Sequence, residues 1–126
     1  MLRNKDTQPV CCEHISEVCQ YYAFMFDVAD RENYNDLCKT LVEEFLPGSE
    51  SFSNVEKVNV FMGMYMRMEL LLKWGFEEQL VEEIKAFFGH MSDITGTLWE
   101  HKQLTNSLNH GFTSYIVALL LMIYNK

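Results

Sequence analysis

Three segments of this chain, VCQYYAFMFDVA, VNVFMGMYMRMELLL and FTSYIVALLLMIY, are apolar nearly all the way round a helical turn. A helix without a polar face is normally enclosed by protein or by lipid. The longest unbroken apolar run, Tyr115 to Tyr124, falls far short of the about 20 residues that cross a bilayer, which leaves enclosure by protein. Between these segments lie two of the opposite kind. In one, Tyr34, Leu37, Cys38, Leu41, Val42 and Phe45 form a stripe opposed by Asp36, Lys39, Glu43 and Glu44. In the other, Leu80, Ile84, Phe87, Phe88 and Met91 oppose Glu78, Glu82, Glu83 and Lys85.

The order is therefore buried, half-exposed, buried, half-exposed, buried. Helices are expected over about 16–29, 31–45, 55–74 and 77–94, and from near Ser107 to the C-terminus. Pro47-Gly48, Gly75 and Gly96 act as breakers, and Thr105, Asn106 and Ser107 are candidate N-caps. No strand-like alternation stands out, so the expected fold is all-α: antiparallel helical hairpins with inner and outer members, treated as one segment over 1–126. At 126 residues the core is small for its surface, and two one-sided helices hardly enclose three apolar ones. The expectation is extensive self-association, or a place at the end of a longer helical toroid.

A formal net charge of −8 argues against nucleic acid and anionic membranes as partners, because phosphate binding needs clustered Lys and Arg. Cysteines at 11, 12, 19 and 38 contain no CxxC pair and read as reduced structural thiols. Cys11, Cys12 and His14 lack the second cluster that would complete a tetrahedral metal site, so no metal is expected. The stretch MLRNKDTQPV has no apolar leader run, and a cytoplasmic location is the expectation. His14, His90 and His101 read as surface or structural residues. Met62, Met64, Met66 and Met68 spread round a helix as core filler, and Glu77, Glu78, Glu82 and Glu83 form a solvated face.

Four stretches in order, SEVCQYYAFMFDVA, VNVFMGMYMRMELL, GTLWE and NSLNHGFTSY, resemble the C-terminal part of the catalytic domain of bacterial α-L-rhamnosidases. That domain is a six-hairpin glycosidase, an (α/α)6 toroid, and the likeness runs from about residue 10 to the end. Trp99-Glu100 followed by Asn109-His110 carries most of it. The resemblance implies a partial toroid with a sugar pocket at the starts of its inner helices, and an inverting hydrolase that releases terminal α-L-rhamnose without metal or cofactor. Such an enzyme needs one carboxylic acid and one carboxylate, about 6.5–9.5 Å apart.

By the same resemblance Glu100 matches the general base. Trp99 would supply an apolar wall, His110 and Asn109 would contact sugar hydroxyls, and Glu17, with Gln20, would stand at another inner-helix start. The family's general acid lies upstream and has no counterpart here. Losing it forfeits about 10²–10⁴-fold in rate, so these residues alone are expected not to hydrolyse rhamnosides. The implied partners are a rhamnose-containing glycoside and either the remainder of the domain or a second copy held through apolar helices. A different class of protein fits the same helices: a non-catalytic ligand-binding, dimerisation or interaction module. The two differ in whether Glu100 and His110 share one concavity.

Overall fold

The chain is mostly helical. In the computed structural model, which describes residues 14–125, the elements run β1 (Ile15–Ser16), α1 (Glu17–Met25), α2 (Asn35–Glu43), β2 (Val55–Glu56), α3 (Phe61–Trp74) and α4 (Glu77–Ile84). A π-helical turn (Lys85–Gly89), α5 (His90–Thr95), a 3-10 turn (Gly111–Ser114) and α6 (Tyr115–Tyr124) follow. The backbone stays right-handed helical through Ile84, Lys85, Gly89 and His90, so α4, the π turn and α5 form one rod over 77–95. Gly75 (φ 83) and Gly96 (φ 69) end their helices in the left-handed conformation that glycine adopts without a Cβ penalty. Cys11 and Cys12, considered above, lie outside the described residues.

Four boundaries differ from the sequence expectation: α1 ends at Met25 rather than near 29, α2 begins at Asn35 rather than near 31, and the starts of the last two apolar helices move as well. Val55 does not open a helix: Val55 and Glu56 pair in parallel with Ile15 and Ser16, and α3 starts only at Phe61. The β-branched Val55, Val58 and Val60 favour the extended chain that leads into it. The last helical segment begins at Gly111 rather than Ser107 and has no side-chain cap, so Thr105, Asn106 and Ser107 belong to the irregular chain before it.

The parallel β1–β2 pairing sets the start of α1 beside the approach to α3. Phe24 and Trp74, near the far ends of the same two helices, meet edge to face at 5.2 Å, so α1 and α3 run in the same direction. Phe61 and His110 lie 4.5 Å apart, and Tyr65 and Tyr115 4.8 Å, so α6 joins them with its start at the same end. The three apolar helices thus run parallel, and the return path is left to α2 and the α4–α5 rod.

Helix α3 is the common wall of two cores. Met64, Met68 and Leu71 face a cluster with Leu80, Phe87 and Leu119, whereas Met66 and Leu70 face Tyr21, Phe24 and Leu41. Gly63 lets α1 come close: a Cβ there would meet Val18 Cγ2 at 2.9 Å and both Val58 methyl groups at 3.0 Å. Of the three all-round apolar helices α3 is the most deeply buried, although Met62 at its start remains exposed. On α6, Ile116 and Leu119 are buried while Val117, Leu121 and Met122 face outward, Leu121 being 55% exposed. Helix α1 likewise leaves Tyr22 bare, as are Phe26 and Val28 just beyond it. No helix among the described residues is long and apolar enough to cross a membrane.

Candidate functional site

The starts of α1, α3 and α6 gather at one end, and the residues singled out in the sequence sit there in different states. Glu100 is half-buried and its backbone is tied on both sides: its N–H donates to the Ser107 carbonyl (2.9 Å) and its carbonyl accepts from the Phe61 N–H (3.0 Å). His110 donates its backbone N–H to the Leu98 carbonyl at 2.8 Å, and its ring packs against both Phe61 and Phe112, which stack on each other at 6.3 Å. Its Nδ1 is buried and meets no hydrogen-bond partner among the described residues. Asn109 and His110 line one open depression with Ser107, Gly111 and Phe112, in which Glu100 has no part.

Trp99 is a correction. It is 1% exposed and packs in the core, with its indole N–H donated to Thr95 Oγ1 at 2.7 Å and the His90 ring edge-on at 5.4 Å. An indole of that area contributes most when fully buried with its N–H satisfied, and so buried it is no wall for a sugar. Glu17 is also buried, at 4% exposure: the Tyr21 hydroxyl donates to one carboxylate oxygen, and the Val58 N–H to the other at 2.8 Å. Gln20 reaches back to the Ser16 carbonyl at 3.5 Å. Among the described residues no group of three or more His, Cys, Asp or Glu is placed to hold a metal.

Sequence reasoning missed a densely connected buried polar group. Arg67, 2% exposed in the middle of α3, makes a two-pronged ion pair with Glu83, Nε to Oε2 at 2.5 Å and Nη2 to Oε1 at 2.7 Å. Its Nη1 donates to the Tyr21 hydroxyl (2.9 Å) and the Leu41 carbonyl (2.5 Å), and Nη2 also reaches the Val42 carbonyl (3.2 Å). All five N–H groups are used. The two carbonyls belong to the last turn of α2, where helices leave acceptors unpaired and where positive charge is favourable. Arg67 therefore caps α2 from inside the core, and Gln79 supports it by donating to Val42 O (2.7 Å) and Glu83 Oε1 (2.8 Å).

Glu83 thus is not part of the solvated face expected of it. At 4% exposure it sits one position before Ile84, buried against a cation that the linear pattern does not reveal. Burial alone would push the Arg67 guanidinium down, but the hydrogen bonds and charge of Glu83 and Tyr21 outweigh this and hold it above its ordinary range. Burial pushes the Tyr21 hydroxyl well up, with Arg67 pulling against it and Glu17 adding to it. The available signals were a lone cation in a long apolar run and the i, i+4 pair Gln79 and Glu83.

Beside this network lies a cavity of about 230 Å³ bordered by Glu17, Arg67, Lys57, Lys102 and the 45–49 loop. No protein-family model, no curated protein and no solved structure gives a significant match to the chain.

Proposed function

We propose that the chain is part of an inverting glycoside hydrolase of the six-hairpin type, resembling the C-terminal portion of an α-L-rhamnosidase domain. In this reading Glu100 takes the proton from the attacking water, and His110 and Asn109 contact a terminal deoxysugar. The observation that carries it is the parallel course of α1, α3 and α6, whose starts lie together with Glu17, Glu100 and His110 among them. Parallel inner helices with returning outer ones are what a toroid of helical hairpins requires. The buried Nδ1 of His110, without a hydrogen-bond partner among the described residues, adds a donor or acceptor to that end. The bare outer sides of α1 and α6 are where neighbouring hairpins would pack, and those hairpins would bring the general acid and the rest of the pocket.

The test is a titration with L-rhamnose followed by amide NMR, together with an aryl α-L-rhamnoside assay. Shifts confined to residues 98–112 and the start of α3 are expected, with no turnover by the chain alone. In the complete catalytic domain Glu100→Gln should lower turnover by about 10²–10⁴-fold, the share a positioned acid or base supplies. Near-normal turnover would remove Glu100 as the base.

A second reading, a non-catalytic helical ligand-binding or dimerisation module, is favoured by the burial of Trp99 and the absence of Glu100 from the His110 depression. It predicts a discrete dimer in sedimentation velocity, broken by Leu121→Lys with Met122→Lys, and no response to rhamnose.

A further inference from the structure

We propose that the cavity between the 45–49 loop, the approach to α3 and the 102–103 segment binds a small monocarboxylate with an apolar body. In a chain of net charge −8, this cavity is lined by three cations, Lys57, Arg67 and Lys102, and by one carboxylate, Glu17. Arg67 has no donor to spare, its N–H groups being taken by Glu83, Tyr21, Leu41 and Val42. The lysines differ. The Lys57 ammonium is buried and has no hydrogen-bond acceptor among the described residues. It rests over the Phe45 ring at 3.7 Å from the centroid, with the stacked Phe52 ring at 5.6 Å. A ring face replaces only part of the water that an ammonium gives up on burial, so the three N–H groups of Lys57 remain a demand for an anionic acceptor.

Lys102 also borders the cavity, beside the 45–49 loop. Its Nζ lies 3.1 Å from where a Cβ on Gly48 would stand, and Gly48, at φ 85, is the residue that leaves this space. Two ammonium groups facing one hollow suit the two oxygens of a carboxylate. A phosphate dianion is normally held by an arginine fork or a nest of backbone N–H groups. Here the fork is engaged, Pro47 offers no N–H, and Glu17 opposes a second negative charge. Of the remaining walls, Phe45, Leu46, Val58, Met64 and Phe87 are apolar and offer a surface to a short hydrocarbon body, while Ser49, Asn59 and Gln103 are polar. At about 230 Å³ the space is below the about 300–1,000 Å³ of drug-sized sites, which limits the ligand to a few carbons beyond the carboxylate. The inference does not rest on the glycosidase reading, since neither Glu100 nor His110 lines this cavity.

The experiment titrates the wild-type chain with butyrate, butyramide and inorganic phosphate, following amide shifts by NMR. Saturable butyrate shifts are expected in the 45–49 loop, at 57–59 and at 102–103, with no response there to butyramide. Lys57→Met and Lys102→Met should each weaken butyrate at least tenfold, while Lys57→Arg retains it within a few fold and shows that the position tolerates change. Absence of saturable butyrate shifts in the wild-type chain, or an equal response to butyramide, overturns the site. Phosphate binding tighter than butyrate overturns the carboxylate class.

Discussion

Replacing Glu83 by glutamine tests the buried network most directly. The substitution keeps the size and one acceptor but removes the charge that balances Arg67, and both side chains are almost fully buried. Unit charges 4 Å apart at an effective dielectric of 20 attract by about 4 kcal/mol, and removing one partner of a buried pair costs about 3–5 kcal/mol. Against a total stability of about 5–15 kcal/mol this is a large share. Urea unfolding followed by circular dichroism should show the midpoint falling by about 2 M for a slope near 2 kcal/mol/M. Glu82→Gln, one residue away, serves as the control. Glu82 is exposed and pairs with the equally exposed Lys85, so its midpoint should stay at the wild-type value. The double change Arg67→Met with Glu83→Leu should recover part of the loss, but not all. It removes both charges and leaves the Leu41 carbonyl at the end of α2 without its donor. Equal midpoints for Glu83→Gln and Glu82→Gln would refute the reasoning.

Gly63→Ala gains about 1 kcal/mol of helix propensity but drives a methyl into Val18 and Val58, so a net loss of about 1–2 kcal/mol is expected in urea, with the added cost of the methyl vanishing only in a background where both Val18→Ala and Val58→Ala make room. Gly75→Ala, at φ 83, should cost about 1–2 kcal/mol in the same assay, because an L side chain strains the left-handed turn between α3 and α4. Burial holds the Tyr21, Tyr65 and Tyr115 hydroxyls above the ordinary value of 10.0. Their stabilising contribution is therefore complete below that value, where the unfolded chain also keeps its protons, and is lost as pH rises through the folded values. In an alkaline titration the tyrosinate absorbance of these three should grow together with the loss of helical dichroism, and ionisation with the helices intact would contradict the burial argument.

The one-sided helices and the glycine stops were legible because their causes are local. A stripe such as Leu37, Cys38, Leu41 and Val42 needs only a neighbour of any kind, and Gly75 and Gly96 act through their own backbone. The valines at 55, 58 and 60 were misjudged because helical periodicity in the run that follows masks their preference for extended chain. Arg67 and Glu83 were invisible as a pair: one looked like a lone polar residue in an apolar run, the other like a surface charge. Only the packing of α3 against α4 brings them together. Trp99 and Glu100 illustrate a different loss. Adjacent letters suggested one shared surface, whereas the fold takes the indole into the core and leaves the carboxylate half-buried at the end where α3 begins. The histidine at 110 was placed at a helix start by sequence, and the structure adds what the pattern lacked, a three-ring aromatic cluster with Phe61 and Phe112.

Helix α3 is wedged between two interiors, with little beyond Met62 and Lys73 reaching solvent. Because the two interiors lean on opposite flanks of the same rod, neither can loosen while the other stays intact, and melting is expected as a single event seen alike by every probe. A protein built round such a shared spine has no smaller half able to stand by itself.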